Sequence, residues 1–150
     1  MDFMKLNIDK IDNRYKIDKS LLFSTAWRKN KKRAFLFVSK LIGKHIAVNP
    51  NIPIITSSIL AYLYANAIEN TNYEIEKLIR AIENEENIEE AMHYIESNKT
   101  EVSKPTLFIG FAETATALGF GVFKNFSGES FYIHSTREDI KEIEETVNFE

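Results

Sequence analysis

Leu107 to Phe123 constrains the fold more than any other stretch of the chain. Thr106-Leu107-Phe108-Ile109 is a short apolar run that stops at Gly110 and gives way to Ala/Thr-rich, helix-like text from Ala112 onward. A strand buried on both faces reads as a continuous apolar run of this kind. Gly110 allows a sharp turn or a close approach to a ligand. Ala112, Glu113, Thr114 and Ala115 are then predicted to form the first helical turn, whose unpaired N–H groups can hold an anion. The helix is expected to bury Ala115, Leu118 and Phe123, with Gly119 and Gly121 thinning it towards its end. Ser130 to Thr136 reads as a further strand. Strand, turn, helix and strand make a βαβ unit, whose crossover is right-handed in nearly all proteins. That places Gly110–Ala115 and Ser135–Arg137 at one carboxyl-terminal sheet edge, where open α/β folds bind ligands.

The segments before this unit read in order as follows. Residues 1 to 19 alternate apolar and polar residues and fit either an edge strand or an arm across a neighbour. Ser20 to Trp27 fits a helical turn, with Ser20 as N-cap. Arg28 to Arg33 is too polar for a core and reads as an exposed loop. Ala34 to Lys40 is rich in aromatic and β-branched residues, as strands are. With Gly43 as turn and Lys44 to Val48 as a second strand, it suggests a hairpin carrying Ser39, Lys40, Lys44 and His45 near its tip. Ile54–Ile68, 72–82 and 87–97 carry apolar residues at three- and four-residue spacing and are predicted helices. Glu138 to Glu145 is acidic and reads as helical. The division is a single domain over 1–150: a hairpin region at 20–50, helices at 53–99 and a βαβ core at 105–150.

Charge narrows the function. The net charge is −3, yet no acidic residue occurs from Lys19 to Ile68, where Arg28, Lys29, Lys31, Lys32, Arg33, Lys40 and Lys44 fall. An anion-binding front end joined to an acidic remainder follows. The chain has no cysteine, so thiolate chemistry and disulfides are excluded. No apolar run in the sequence approaches the roughly 20 residues of a spanning helix, and the first residues lack a signal-peptide core, so a cytoplasmic location without a membrane partner is expected. His45, His93 and His134 lack metal-ligand spacing, and no Walker lysine or Gly-x-Ser-x-Gly elbow occurs. The polar set Glu113, Thr114, Thr116, Ser135, Thr136 and Arg137, with Lys40, Lys44 and His45 from the hairpin, suits phosphate or pyrophosphate. A nucleic-acid partner for Arg28 to Lys44, with Trp27 and Phe35 nearby, has thin support in a protein of pI near 5.7 and is not expected.

Three ordered motifs carry a resemblance. Phe35 to His45 (Phe-Leu-Phe-Val-Ser-Lys-Leu-Ile-Gly-Lys-His), Ile109 to Gly119 (Ile-Gly-Phe-Ala-Glu-Thr-Ala-Thr-Ala-Leu-Gly) and His134-Ser135-Thr136-Arg137 together resemble the phosphoribosyltransferase-like proteins of tellurite-resistance-type gene clusters. Those are similar in layout to orotate-type, type I phosphoribosyltransferases. The resemblance spans roughly residues 20 to 150 and implies an incomplete α/β fold of that type, in which the first hairpin belongs to the hood and the subunit contact, so a homo-oligomer is expected. It makes Gly110, Phe111, Ala112, Glu113, Thr114 and Ala115 the pyrophosphate loop. It assigns Ser135 and Thr136 to substrate binding and Arg137 to the catalytic contact with pyrophosphate. It implies phosphoribosyl pyrophosphate (PRPP) as substrate, Mg²⁺ as its companion, and displacement of pyrophosphate by a nitrogen base. The family's Asp-Asp…Thr-Gly segment has no match here, since Asp139 is the one aspartate after Asp18. The expectation is an amino-terminal half, inactive alone unless a complementing carboxyl-terminal half supplies that segment. The alternative is a non-catalytic interaction or oligomerisation module built on an unpaired sheet edge.

Overall fold

The computed structural model describes residues 3–4, 12–30, 34–138 and 140–141. It is a mixed α/β chain in which helices separate an N-terminal antiparallel sheet from short parallel strand pairs. In the antiparallel sheet, β1 (Phe3–Met4) pairs with β2 (Phe23–Trp27), and β2 pairs with β3 (Phe35–Ser39), from Phe23 opposite Ser39 to Trp27 opposite Phe35. Phe3–Met4 is thus an edge strand. A single helical turn, α1 (Lys19–Leu22), precedes β2 and is capped by Asp18, not Ser20: its carboxylate accepts from the Ser20 N–H at 2.8 Å.

Two sequence expectations change here. Phe23 to Trp27 is a strand, because a five-residue ladder to β3 outweighs any local helical preference. The expected strand at 44–48 does not form, and residues 41–46 bend away from the sheet. β2 is the hairpin partner of β3, and Lys44 is instead drawn to the βαβ unit, where its Nζ meets Glu113 and Thr114.

The helical expectations hold with shifted ends. α2 (Asn51–Ile68) starts where the Asn49 side chain accepts from the Asn51 N–H at 3.0 Å. Its 18 residues have mean hydropathy 1.2, long and apolar enough to cross a membrane, closer to that limit than the apolar runs suggested. Here it is the hub on which α3 (Ile75–Asn84), α4 (Ile88–Ser97) and α5 (Thr114–Phe123) pack. The α3–α4 joint turns through Glu85 and Asn87, both with left-handed backbone.

One core lies between α2, α3 and α4 around Tyr62, Ile55, Leu78 and Ile95. The fully buried Tyr62 ring stacks on Tyr73 at 4.3 Å, and its hydroxyl donates to the Asn98 carbonyl at 2.8 Å. A second core joins Ala61 and Ala65 of α2 to Val102 and Phe126. There Phe108 stacks on Phe126 at 4.9 Å.

The βαβ unit forms with the expected topology, but its first strand is not buried on both faces, since Leu107 and Ile109 are each more than half exposed. β5 (Thr106–Gly110) runs parallel to β7 (Ser130–His134), from Thr106 opposite Ser130 to Gly110 opposite His134. A shorter parallel pair, β4 (Thr100–Glu101) with β6 (Phe126–Ser127), sits beside the second core. α5 connects the strands, with Phe123 stacked on Tyr132 at 5.9 Å. None of its residues is fully buried, and Ala115, Leu118 and Phe123 are half-buried. Most of the expected acidic helix at 138–145 lies outside the described residues.

Candidate functional site

The carboxyl-terminal ends of β5 and β7 meet as the sequence implies. The Ser135 N–H donates to the Gly110 carbonyl at 3.0 Å, continuing the ladder by one step. The Ser135 hydroxyl then accepts from the Ala112 N–H at 2.9 Å, tying the loop after β5 to the loop after β7. The Ala112–Glu113 peptide is cis. α5 begins at Thr114, two residues later than expected, with Glu113 at its N-cap.

That shift alters which amides a ligand can use. The Ala115 N–H donates to Phe111 O at 3.1 Å and the Thr116 N–H to Glu113 O at 3.3 Å. With Ala112 held by Ser135, at most the amides of Glu113 and Thr114 remain for an anion. Gly110 also has a packing role. A Cβ there would run into the Tyr132 hydroxyl and lie 2.8 Å from the Ala115 carbonyl. Close packing of strand against helix requires glycine here on its own. The Tyr132 hydroxyl itself donates to the Thr116 carbonyl at 2.6 Å, and burial pushes its pKa up.

Side chains complete the site. Lys44 Nζ reaches Thr114 Oγ1 at 2.8 Å and Glu113 Oε2 at 3.3 Å. Arg137 Nη1 lies 4.0 Å from Glu113 Oε1. Two cations from distant parts of the chain therefore converge on one carboxylate at the start of α5. Pairs this exposed contribute only about 0–1 kcal/mol, so their importance is positional. Beside them is a cleft of about 300 Å³ lined by Ile42, Lys44, Pro53, Ser57, Glu113, Thr114, Ala117 and Leu118.

The remaining expected residues divide clearly. Lys40 is drawn away, donating to the Ser20 carbonyl at 2.7 Å, and does not line the cleft. His45 is exposed in the 41–46 loop and is not a cleft residue either. Their separation from Lys44 follows from the absence of the second hairpin strand. Phe111 is exposed, Ala112 and Ala115 contribute backbone, and Thr136 accepts the Glu138 N–H at 3.0 Å to cap the next turn. Pro53 and Ser57 were missed. Their signal was present, since polar or small residues interrupt the apolar face of α2 one turn apart, but a helix start reads first as a cap.

Among the described residues no group of three or more His, Cys, Asp and Glu side chains could hold a metal ion. One carboxylate, already paired with Lys44, is not a magnesium cage.

A family model described as phosphoribosyl transferase matches residues 22–150, most of the chain. The chain belongs to that family. No curated protein and no solved structure matches it. For a phosphoribosyl transferase domain the parallel β5–β7 pair, its connecting helix and the loop at Gly110 form the expected kind of mixed α/β framework. The match also encompasses every residue of the cleft, from Ile42 to Leu118.

Proposed function

We propose that the cleft beside Lys44, Glu113, Thr114 and Arg137 binds the diphosphate of PRPP. The observation that carries this reading is the convergence of Lys44 and Arg137 on the Glu113 carboxylate. An anion of the protein's own already sits between two cations at a helix start, which is the environment a diphosphate needs. An incoming diphosphate takes over those cations and the Thr114 hydroxyl, with the Glu113 and Thr114 amides. Membership of the phosphoribosyl transferase family supports the assignment.

The reaction proposed is attack of a nitrogen nucleophile on C1 of the ribose as the C1–O bond to diphosphate breaks. In it, Lys44 and Arg137 stabilise the charge accumulating on the departing diphosphate. Mg²⁺ enters as a companion of the diphosphate oxygens rather than as an ion held by the protein. The 150 residues contain no Asp-Asp…Thr-Gly segment. We therefore propose that the chain does not turn over by itself and that a complementing segment supplies the contacts to ribose and 5′-phosphate. A tellurite-resistance-type gene cluster and the cytoplasm are the proposed setting.

Calorimetric titration with PRPP and with pyrophosphate, in Mg²⁺, tests the reading. Saturable binding that disappears in Arg137→Ala is expected. A folded wild-type chain that binds neither compound refutes it.

One observation favours a second reading, an oligomerisation module. Leu107, Ile109, Phe131 and Ile133 lie on one face of the β5–β7 pair, each more than half exposed. Parallel sheets are normally covered on both faces. A second copy of the chain would cover this one. Concentration-dependent dimerisation abolished by Ile109→Lys, without any PRPP binding, would favour that reading.

A further inference from the structure

The β2–β3 hairpin carries a surface that the cleft does not use. Side chains alternate across a strand, so the register places Phe23, Thr25 and Trp27 of β2 on the same face as Ser39, Phe37 and Phe35 of β3. The aromatic positions of that face are open, with Trp27 63% exposed, Phe37 53% and Phe35 42%, although Thr25 between them is buried, and Ala26 and Val38 on the opposite face are fully buried. The rings hold one another in place. Phe37 meets Phe23 edge-on at 5.2 Å and Phe35 edge-on at 5.4 Å, and Trp27 sits directly across from Phe35. Three large aromatic residues left in water on one small sheet are costly without a partner.

The turn joining the two strands supplies the charge. Arg28 and Lys29 are exposed directly after Trp27, and the Arg28 N–H closes the turn by donating to the Ala34 carbonyl at 3.0 Å. The sequence continues with Lys31, Lys32 and Arg33, which lie outside the described residues. No acidic residue occurs from Lys19 to Ile68, so the hairpin's own sequence carries no compensating charge.

We propose that the Trp27–Phe35–Phe37 face, with Arg28 and Lys29, is a binding platform for single-stranded nucleic acid. Unpaired bases stack on aromatic rings presented by a sheet, and cations beside them follow the phosphates. Residues two apart on one strand lie about 7 Å apart, which separates Phe35 and Phe37 enough to serve different bases. The acidity of the chain as a whole argued against nucleic acid at the sequence level. The folded chain answers that objection by exposing Arg28 and Lys29 directly after Trp27, on the strand whose register sets Trp27 beside Phe35. Aromatic and basic residues also suit an anionic membrane surface. Rings held edge-to-face against one another on a sheet form a fixed surface, which favours stacking over insertion into lipid.

Trp27 is the single tryptophan of the chain, so its fluorescence reports on this face alone. Titration with a thymidine oligonucleotide of about 12 nucleotides at low salt is expected to quench it saturably. Phe35→Ala/Phe37→Ala should weaken binding at least about tenfold. Arg28→Gln/Lys29→Gln should flatten the dependence of affinity on salt, by about 0.7 in log–log slope for each phosphate no longer neutralised. The charge variant changes only exposed turn residues, so it remains informative if the double alanine variant does not fold. Absence of quenching by the oligonucleotide overturns the proposal, as does affinity unchanged in a folded variant of either pair. A blue shift with anionic phospholipid vesicles and no response to the oligonucleotide overturns it in favour of a membrane surface.

Discussion

Gly121→Ala tests how α5 is held against α2, and with it the shape of the cleft. A Cβ built on Gly121 would collide with the Ser57 hydroxyl and lie 2.7 Å from the Ser57 Cβ. Ser57 has little room to yield, being 4% exposed with its hydroxyl donating to the Pro53 carbonyl at 2.8 Å. Forcing an extra methyl into such a contact costs about 1–3 kcal/mol. Alanine in a helix interior regains roughly 0.8–1 kcal/mol over glycine. The net expectation is a destabilisation of up to about 2 kcal/mol, or a fall in Tm of up to about 8 °C for a domain of this size. Urea unfolding measures it, as a lower midpoint at unchanged slope. Ser57→Gly removes the obstructing Cβ, so the double variant should recover most of the loss, whereas Ser57→Ala should not. Because Ser57 lines the cleft, Gly121→Ala should also weaken pyrophosphate binding. A Gly121→Ala chain stabilised by about 1 kcal/mol would show helix propensity acting alone and refute the close α2–α5 contact.

Gly110→Val should unfold or strongly destabilise the chain rather than remove ligand binding selectively, since its side chain would meet Tyr132 and the Ala115 carbonyl; circular dichroism decides. Glu113→Gln should tighten pyrophosphate binding several-fold in calorimetry, because Lys44 and Arg137 lose an internal competitor. Lys44→Met should weaken it while shifting stability by less than about 1 kcal/mol. Burial raises the Tyr62 pKa well above its ordinary value near 10, so the folded state favours the neutral phenol. Its contribution is complete below pH 10 and is lost as pH rises beyond that, through the folded pKa. Alkaline urea titrations should show that decline in the wild type and a flatter limb in Tyr62→Phe, which also forfeits about 1 kcal/mol from the bond to Asn98.

The sequence by itself determined the parts whose signal is local. The apolar run 106–109, the glycine after it and the second run at 130–134 specified the βαβ unit, because parallel strands need apolar text and a long crossover. Periodic apolar residues specified α2, α3 and α4 to within a few residues. The grouping of Glu113, Thr114 and Arg137 followed from topology alone, since both loops leave the same sheet edge.

Only the tertiary structure decided the rest. Phe23 to Trp27 is a strand because β3 lies beside it, and no local pattern distinguishes that from one helical turn. Lys44 and Lys40 are four residues apart in a basic segment, yet one reaches α5 and the other the turn of α1, since the chain bends between them. That Gly110 packs against Tyr132 and the Ala115 carbonyl was visible only in the folded chain. Trp27, Phe35 and Phe37 became one surface only through the cross-strand register, in which a shift of a single residue would have turned the rings of one strand to the other face.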